Sequence, residues 1–298
     1  MATHSLERPA LRKGRVSRLT PNVSLIQGIT WQCNCIVVRK GQSALAGDGF
    51  WNPMDVDTLA EMVEGLNTHL LITHGDIDHC TCIGRCTSAK AVGAPATAAR
   101  IRSGSAGHDL KLESAKWGLA FVGEPRIDLE VRPPECVRLG EWTVRTFEAA
   151  GHAGDGTAYL IQEEGIFLVG DYLVASQHPI VWWSLKEAYR TTERLLGAIR
   201  KFDVEWVVPG HGPVLARADA EIIAQQDLTY LAEVDRAADE ARRLNYTKRE
   251  WHLAVESVPV PRPCAPDVEM LCPRLLNAAA TFRDRGVDAN LPWIMDMA

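Results

Sequence analysis

Leu70-Leu71-Ile72-Thr73-His74-Gly75-Asp76-Ile77-Asp78-His79 is an apolar run that ends in four side chains able to hold a metal. Its first three residues predict a buried strand, and the rest predict a turn at the strand's end. Neutral imidazole and carboxylate are the usual protein ligands of Zn²⁺ and of non-haem iron, so crowding them there points to a metal site. A solvated turn can gather His and Asp by chance, and this stretch alone does not separate the two readings.

Three positions further along do separate them. The strand-like Trp142-Thr143-Val144-Arg145-Thr146-Phe147 is followed by Ala149-Ala150-Gly151-His152. Ile166-Phe167-Leu168-Val169 runs into Gly170-Asp171, and Trp206-Val207-Val208-Pro209 into Gly210-His211-Gly212. Each places one His or Asp beyond a β-branched or aromatic strand, beside a glycine that lets the backbone turn sharply. A lone buried His is commonly structural; four such strand ends in series read as one site.

This ordered set resembles the metallo-β-lactamase superfamily, whose signature is H-x-H-x-D-H, then Gly-His, Gly-Asp and Gly-His. The resemblance runs from about Val23 to Val214 and takes in Ala46-Gly47-Asp48-Gly49, where the family has an apolar-Asp-x-Gly turn. It implies an α/β (α+β) fold, an αββα sandwich of two mixed sheets flanked by helices, with a dinuclear metal centre at one edge. Carried over, His74, Asp76 and His152 would hold the first ion. Asp78, His79 and His211 would hold the second, and Asp171 would bridge them.

Asp76 departs from the family pattern, which has histidine there. A carboxylate at this place is similar to the H-x-E-x-D-H of flavodiiron proteins. Two divalent ions balanced by Asp78, Asp171 and a hydroxide leave one positive charge, and Asp76 removes it. A further anionic oxygen lowers Lewis acidity and favours Fe or Mn over Zn. The resemblance thus implies two divalent metal ions, Zn or else Fe/Mn. The first reading is a hydrolase whose metal-bridging hydroxide attacks an ester, lactone, thioester or amide of a small molecule, with Asp78 or an acid behind the ligands protonating the leaving group. The alternative is a diiron oxygenase or oxidoreductase. It would need an external electron donor, since the chain is too short for a flavin domain and has no G-x-G-x-x-G motif. A non-catalytic metal-binding protein is the third reading.

Composition bounds the rest. The 298 residues are 46% hydrophobic and 23% charged, ordinary for a soluble globular protein. A net charge of −6 disfavours nucleic acid, whose binding rests on clustered cations. The one basic cluster, Arg8, Arg12, Lys13, Arg15 and Arg18, reads as a solvated arm. No secretory signal and no run of about 20 apolar residues is visible, so a cytoplasmic protein with no membrane contact is expected. The eight cysteines, including Cys80, Cys82 and Cys86, read as packed thiols rather than a separate metal site.

Alternating strand and helix patterns fill residues 1–214, the expected sandwich domain. Residues 103–134 are irregular and polar, anchored by Trp117 and Phe121. Residues 215–298 predict a helical C-terminal extension packed on the same domain and a possible homodimer contact. Its helices are expected at 218–243, 249–255 and 268–285. Tyr172, His178, Trp182, Trp183 and Trp31 are the candidate substrate-binding residues, forming an aromatic wall for an apolar or ring-bearing molecule.

Overall fold

The structure, a computed structural model, describes residues 13–105, 107–108, 111–112, 123–269 and 272–288. Arg8, Arg12, Trp117 and Phe121 lie outside them. Two mixed sheets are packed face to face. The first contains β1 (Arg15–Thr20), β2 (Val23–Gln27), β3 (Asn34–Lys40), β4 (Ser43–Gly47), β5 (Asn67–Leu71), β6 (Lys90–Gly93) and β7 (Leu129–Glu130), in that spatial order. Pairing is antiparallel from β1 to β4 and parallel from β4 to β7. The second sheet runs β13 (Leu215–Ala216), β12 (Trp206–Pro209), β11 (Ile166–Gly170), β10 (Thr157–Ile161), β9 (Trp142–Glu148) and β8 (Cys136–Leu139). Only β11 and β12 are parallel there.

The central strands β3, β4, β10 and β11 read as continuous apolar runs because both of their faces are buried. On β3, Ile36 and Val38 face the second sheet and meet Tyr159, Ile161 and Leu168 in the layer between the sheets. Cys35 and Val37 face outward and pack with Val56, Leu59 and Val63 of helix α1 (Pro53–Val63). On the far side, Leu160, Phe167 and Val207 bury against Leu195 and Ile199 of helix α4 (Leu185–Lys201). Two short helices complete the first layer, α2 (Ile77–Cys80) and α3 (Pro95–Arg102). Cys33, Cys35, Cys80, Cys82 and Cys86 are free, buried thiols in the core under α1, so they pack as expected.

Helices α5 (Arg217–Arg243), α6 (Lys248–Glu256), α7 (Pro266–Glu269) and α8 (Pro273–Asp284) follow the second sheet. Leu231, Val234, Trp251 and Phe282 join the same apolar cluster as α4. Two local expectations need correction. Arg15 and Arg18 do not belong to a solvated arm; they sit on β1, an edge strand paired to β2. The helix expected over 268–285 is two helices, because Pro273 cannot donate a backbone N–H and begins a new helix after the left-handed Cys272. Among the described residues, no helix is long and apolar enough to cross a membrane.

The extension also reaches the sheet edge. Asn277 on α8 is fully buried; its Oδ1 accepts the Val181 N–H at 2.8 Å, and its Nδ2 donates to Pro179 O at 2.9 Å and Tyr230 OH at 3.0 Å. It therefore fixes the segment whose middle residue, Ile180, accepts a hydrogen bond from His152. Asn277→Ala strands one buried N–H and one carbonyl, and should cost about 2–3 kcal/mol of stability. A denaturant titration checks this, and a loss under ~0.5 kcal/mol would contradict the role.

Candidate metal centre

The strand ends bring the expected residues together. His74 follows β5, His152 follows β9, Asp171 follows β11 and His211 follows β12. The backbone is drawn in tightly at Gly210, where an added Cβ would stand 2.4 Å from Asp171 Oδ1 and 2.6 Å from His79 Cε1. At Gly151 (φ +132°) it would stand 2.3 Å from the Ala188 nitrogen. Asn34, opening β3, crosses between the sheets to brace the last loop, donating through Nδ2 to Pro209 O at 2.9 Å and Gly212 O at 2.8 Å.

All four histidines are aimed by the same device. His79 Nδ1–H donates to Asp48 Oδ2 at 2.8 Å, and His74 Nδ1–H to Thr73 Oγ1 at 3.0 Å. The Thr73 hydroxyl donates in turn to Asp48 Oδ2, whose Oδ1 accepts the Thr73 N–H at 3.0 Å. His152 Nδ1–H donates to Ile180 O and His211 Nδ1–H to Trp31 O, both at 2.8 Å. With Nδ1 as donor, each Nε2 carries a lone pair, and these nitrogens face the carboxylates.

Two groups result. His74 Nε2 and His152 Nε2 lie 3.2 and 3.5 Å from Asp76 Oδ2. His79 Nε2 lies 3.1 Å from Asp171 Oδ1, and His211 Nε2 lies 3.3 Å from both Asp78 Oδ2 and Asp171 Oδ2. Asp171 Oδ2 is also 3.3 Å from His152 Nε2, so this carboxylate stands between the groups. Facing lone pairs repel unless positive charge sits between them, and His74 Nε2, His79 Nε2 and Asp171 Oδ1 are buried with no hydrogen-bond partner. The charges of the cluster also act strongly on one another. Burial pushes the Asp171 carboxyl up, but His211, His79 and His152 outweigh it and hold it well below the usual range. Burial pulls the His79 imidazole down, yet Asp78, Asp48 and Asp171 raise it well above its ordinary value. The cluster calls for cations at its centre. Imidazole and carboxylate oxygen at these positions fit divalent metal ions.

A sequence profile of the metallo-beta-lactamase superfamily matches residues 28–211. The chain belongs to that superfamily. Its fold is similar to the metallo-beta-lactamase family protein TTHA1429 from Thermus thermophilus, at TM-score 0.64 and 18% identity over 90% of this chain and 95% of that one. The metallo-beta-lactamase FIM-1 from Pseudomonas aeruginosa, in its mono-zinc form, gives TM-score 0.54 and 17% identity over 75% and 99%. VMB-1 gives 0.55 and 17% over 74% and 99%. No curated protein matches the sequence significantly.

Some expectations change. His178 is buried and does not line the cavity over the centre, with Nδ1 at 3.2 Å from Cys264 Sγ and its ring against Tyr230; burial lowers it to about 4, leaving it neutral at pH 7. It points into the helical extension because the Pro179–Val181 turn is tied there by Asn277. Tyr172 stands behind His152 and does not line the large cavity over the centre: its hydroxyl accepts the His152 N–H at 2.9 Å and donates to Ala150 O at 2.8 Å. Trp31, Trp182 and Trp183 do line the cavity over the centre.

Sequence reading missed Arg100 and Asp155. Arg100 on α3 donates to Asp76 Oδ1 and, through Nη1 at 3.0 Å, to Asp155 Oδ1. Asp155 Oδ2 also accepts the Gly75 N–H at 2.8 Å. The only sequence signal was Gly154-Asp155-Gly156 shortly after His152. Asp48→Asn should weaken zinc binding about 10–100-fold without unfolding the protein, because Asp48 orients two ligand-capable histidines. Competition against a chromophoric chelator measures this; unchanged affinity would contradict the orienting role.

Proposed function

We propose that this chain is a dinuclear metal-dependent hydrolase acting on an ester, lactone, thioester or amide of a small molecule. The supporting observation is the pair of ligand groups joined at Asp171, set in a chain of this superfamily. In this reading His74, Asp76 and His152 would hold one ion and Asp78, His79 and His211 the other, with Asp171 available to both. The bound ions would supply Lewis acidity and lower the pKa of water to roughly 7. Asp78 faces the cavity, with its carboxyl held low because His79 and His211 outweigh burial. It starts ionised, can take a proton during attack, and can deliver it to the departing oxygen, nitrogen or sulfur.

Arg100 bears on the choice between hydrolysis and redox chemistry. The redox alternative rests on the extra negative charge of Asp76. Its outer oxygen is taken by Arg100, which offsets part of that charge; only part, because Asp155 shares the guanidinium. Burial pushes the Asp76 carboxyl up, but His74, His152 and Arg100 outweigh it and hold it well below the usual range. Asp76 is thus a damped donor, closer to a neutral ligand than its type suggests, and this favours hydrolysis.

Zinc-loaded protein should carry two equivalents and cleave neutral esters or thioesters, with Asp78→Asn lowering kcat/KM by about 10²–10⁴. Two irons with O₂ uptake and no cleavage would overturn the reading. Arg100→Gln should raise the bound iron-to-zinc ratio after loading from an equimolar mixture, read by elemental analysis. An unchanged ratio removes Arg100 from the charge account.

A further inference from the structure

The centre opens into a cavity of about 840 Å³, within the range of sites that take small molecules. One wall is the carboxylate and imidazole cluster. The other is apolar and aromatic, with Trp31, Ile77, Ile180, Trp182, Trp183 and Val268. Trp182 and Trp183 are 43% and 45% exposed, an unusual placement for two adjacent indoles.

Their backbone is nevertheless fixed. Trp182 N–H donates to His152 O at 2.9 Å and Trp183 N–H to Gly151 O at 3.3 Å. Arg283 on α8 donates to both tryptophan carbonyls, to Trp183 O at 3.0 Å. The Trp183 ring closes over Gly154, where an added Cβ would stand 3.3 Å away. The backbone of both tryptophans and the Trp183 ring are therefore fixed to the loop that carries His152, which presents apolar surface at little conformational cost.

Charge narrows what this surface accepts. Among the described residues lining the cavity, Arg100 is the only Lys or Arg, and it is committed to Asp76 and Asp155. An anionic substituent away from the metals would meet Asp155 and no free cation.

We propose that Trp31, Trp182 and Trp183 form a preorganised acceptor for a large, neutral, apolar or ring-bearing group, so that the substrate is an uncharged ester-type molecule with a bulky apolar substituent. The scissile bond rests on the hydrolytic reading above; the apolar acceptor does not. Two measurements test them separately. Zinc-loaded protein is titrated with N-phenyl-1-naphthylamine, a neutral fluorescent probe. Saturable binding is expected, at least about tenfold weaker in the Trp182→Ala/Trp183→Ala variant. The unfolding midpoint should hold, because both rings are half-exposed. Absent binding, or binding indifferent to the double substitution, overturns the proposal.

The second measurement compares p-nitrophenyl acetate, octanoate and hemisuccinate. Octanoate should exceed acetate in kcat/KM by about tenfold or more, the double variant should flatten that ratio, and hemisuccinate should be the poorest. Cleavage without chain-length preference overturns the apolar acceptor while leaving the hydrolase reading in place. Probe binding that depends on the indoles, with no ester cleaved, supports the acceptor and overturns the hydrolase reading.

Discussion

The Asp48 carboxylate holds the site in shape. Buried at the end of β4, it accepts from the backbone and hydroxyl of Thr73 and from His79 Nδ1, and through Thr73 it also reaches His74. One anion thus sets the tautomer and direction of two imidazoles from behind. Backbone carbonyls of Ile180 and Trp31 do the same for His152 and His211. Four Nε2 lone pairs then converge where three carboxylates already stand, an arrangement that is costly in a buried place unless cations occupy it. The sandwich makes this possible because Asp48, His74, Asp171 and His211 each leave a rigid strand within one to three residues.

The helical extension is part of the same construction. Asn277 and Arg283 on α8 fix residues 179–183, which supply both the carbonyl that aims His152 and the two indoles over the cavity. A helix more than 100 residues from His152 in sequence therefore controls how that histidine points. On the opposite rim, Arg100 and Asp155 hold the outer oxygen of Asp76 and the Gly75 backbone. The metal loop is braced from both sides, which is how a preorganised site keeps its geometry.

Much of this was legible in the chain. Apolar runs in β5, β11 and β12 and the alternation in β9 located the strand ends, and the glycines near them marked where the backbone must come close. That is why the convergence of His74, Asp76, Asp78, His79, His152, Asp171 and His211 was readable. Other features carried no local pattern. Arg100 pairs with carboxylates 24 and 55 residues away, and nothing near it announces that. β1 is an edge strand whose polar exposed face hides its period. His178 looked like a site residue because it follows Asp171 closely, yet a distant asparagine turns its segment away. The break before Pro273 was signalled by the proline itself and was overridden by the apolar periodicity on either side.

If these side chains meet around two ions, the ions can be located. Anomalous scattering at the zinc edge, from crystals of the zinc-loaded protein, tests this most directly. Two peaks are expected, one about 2.0–2.2 Å from the Nε2 atoms of His74 and His152 and one at the same distance from those of His79 and His211, with Asp171 touching both. A single peak, or none between those histidines, would contradict it.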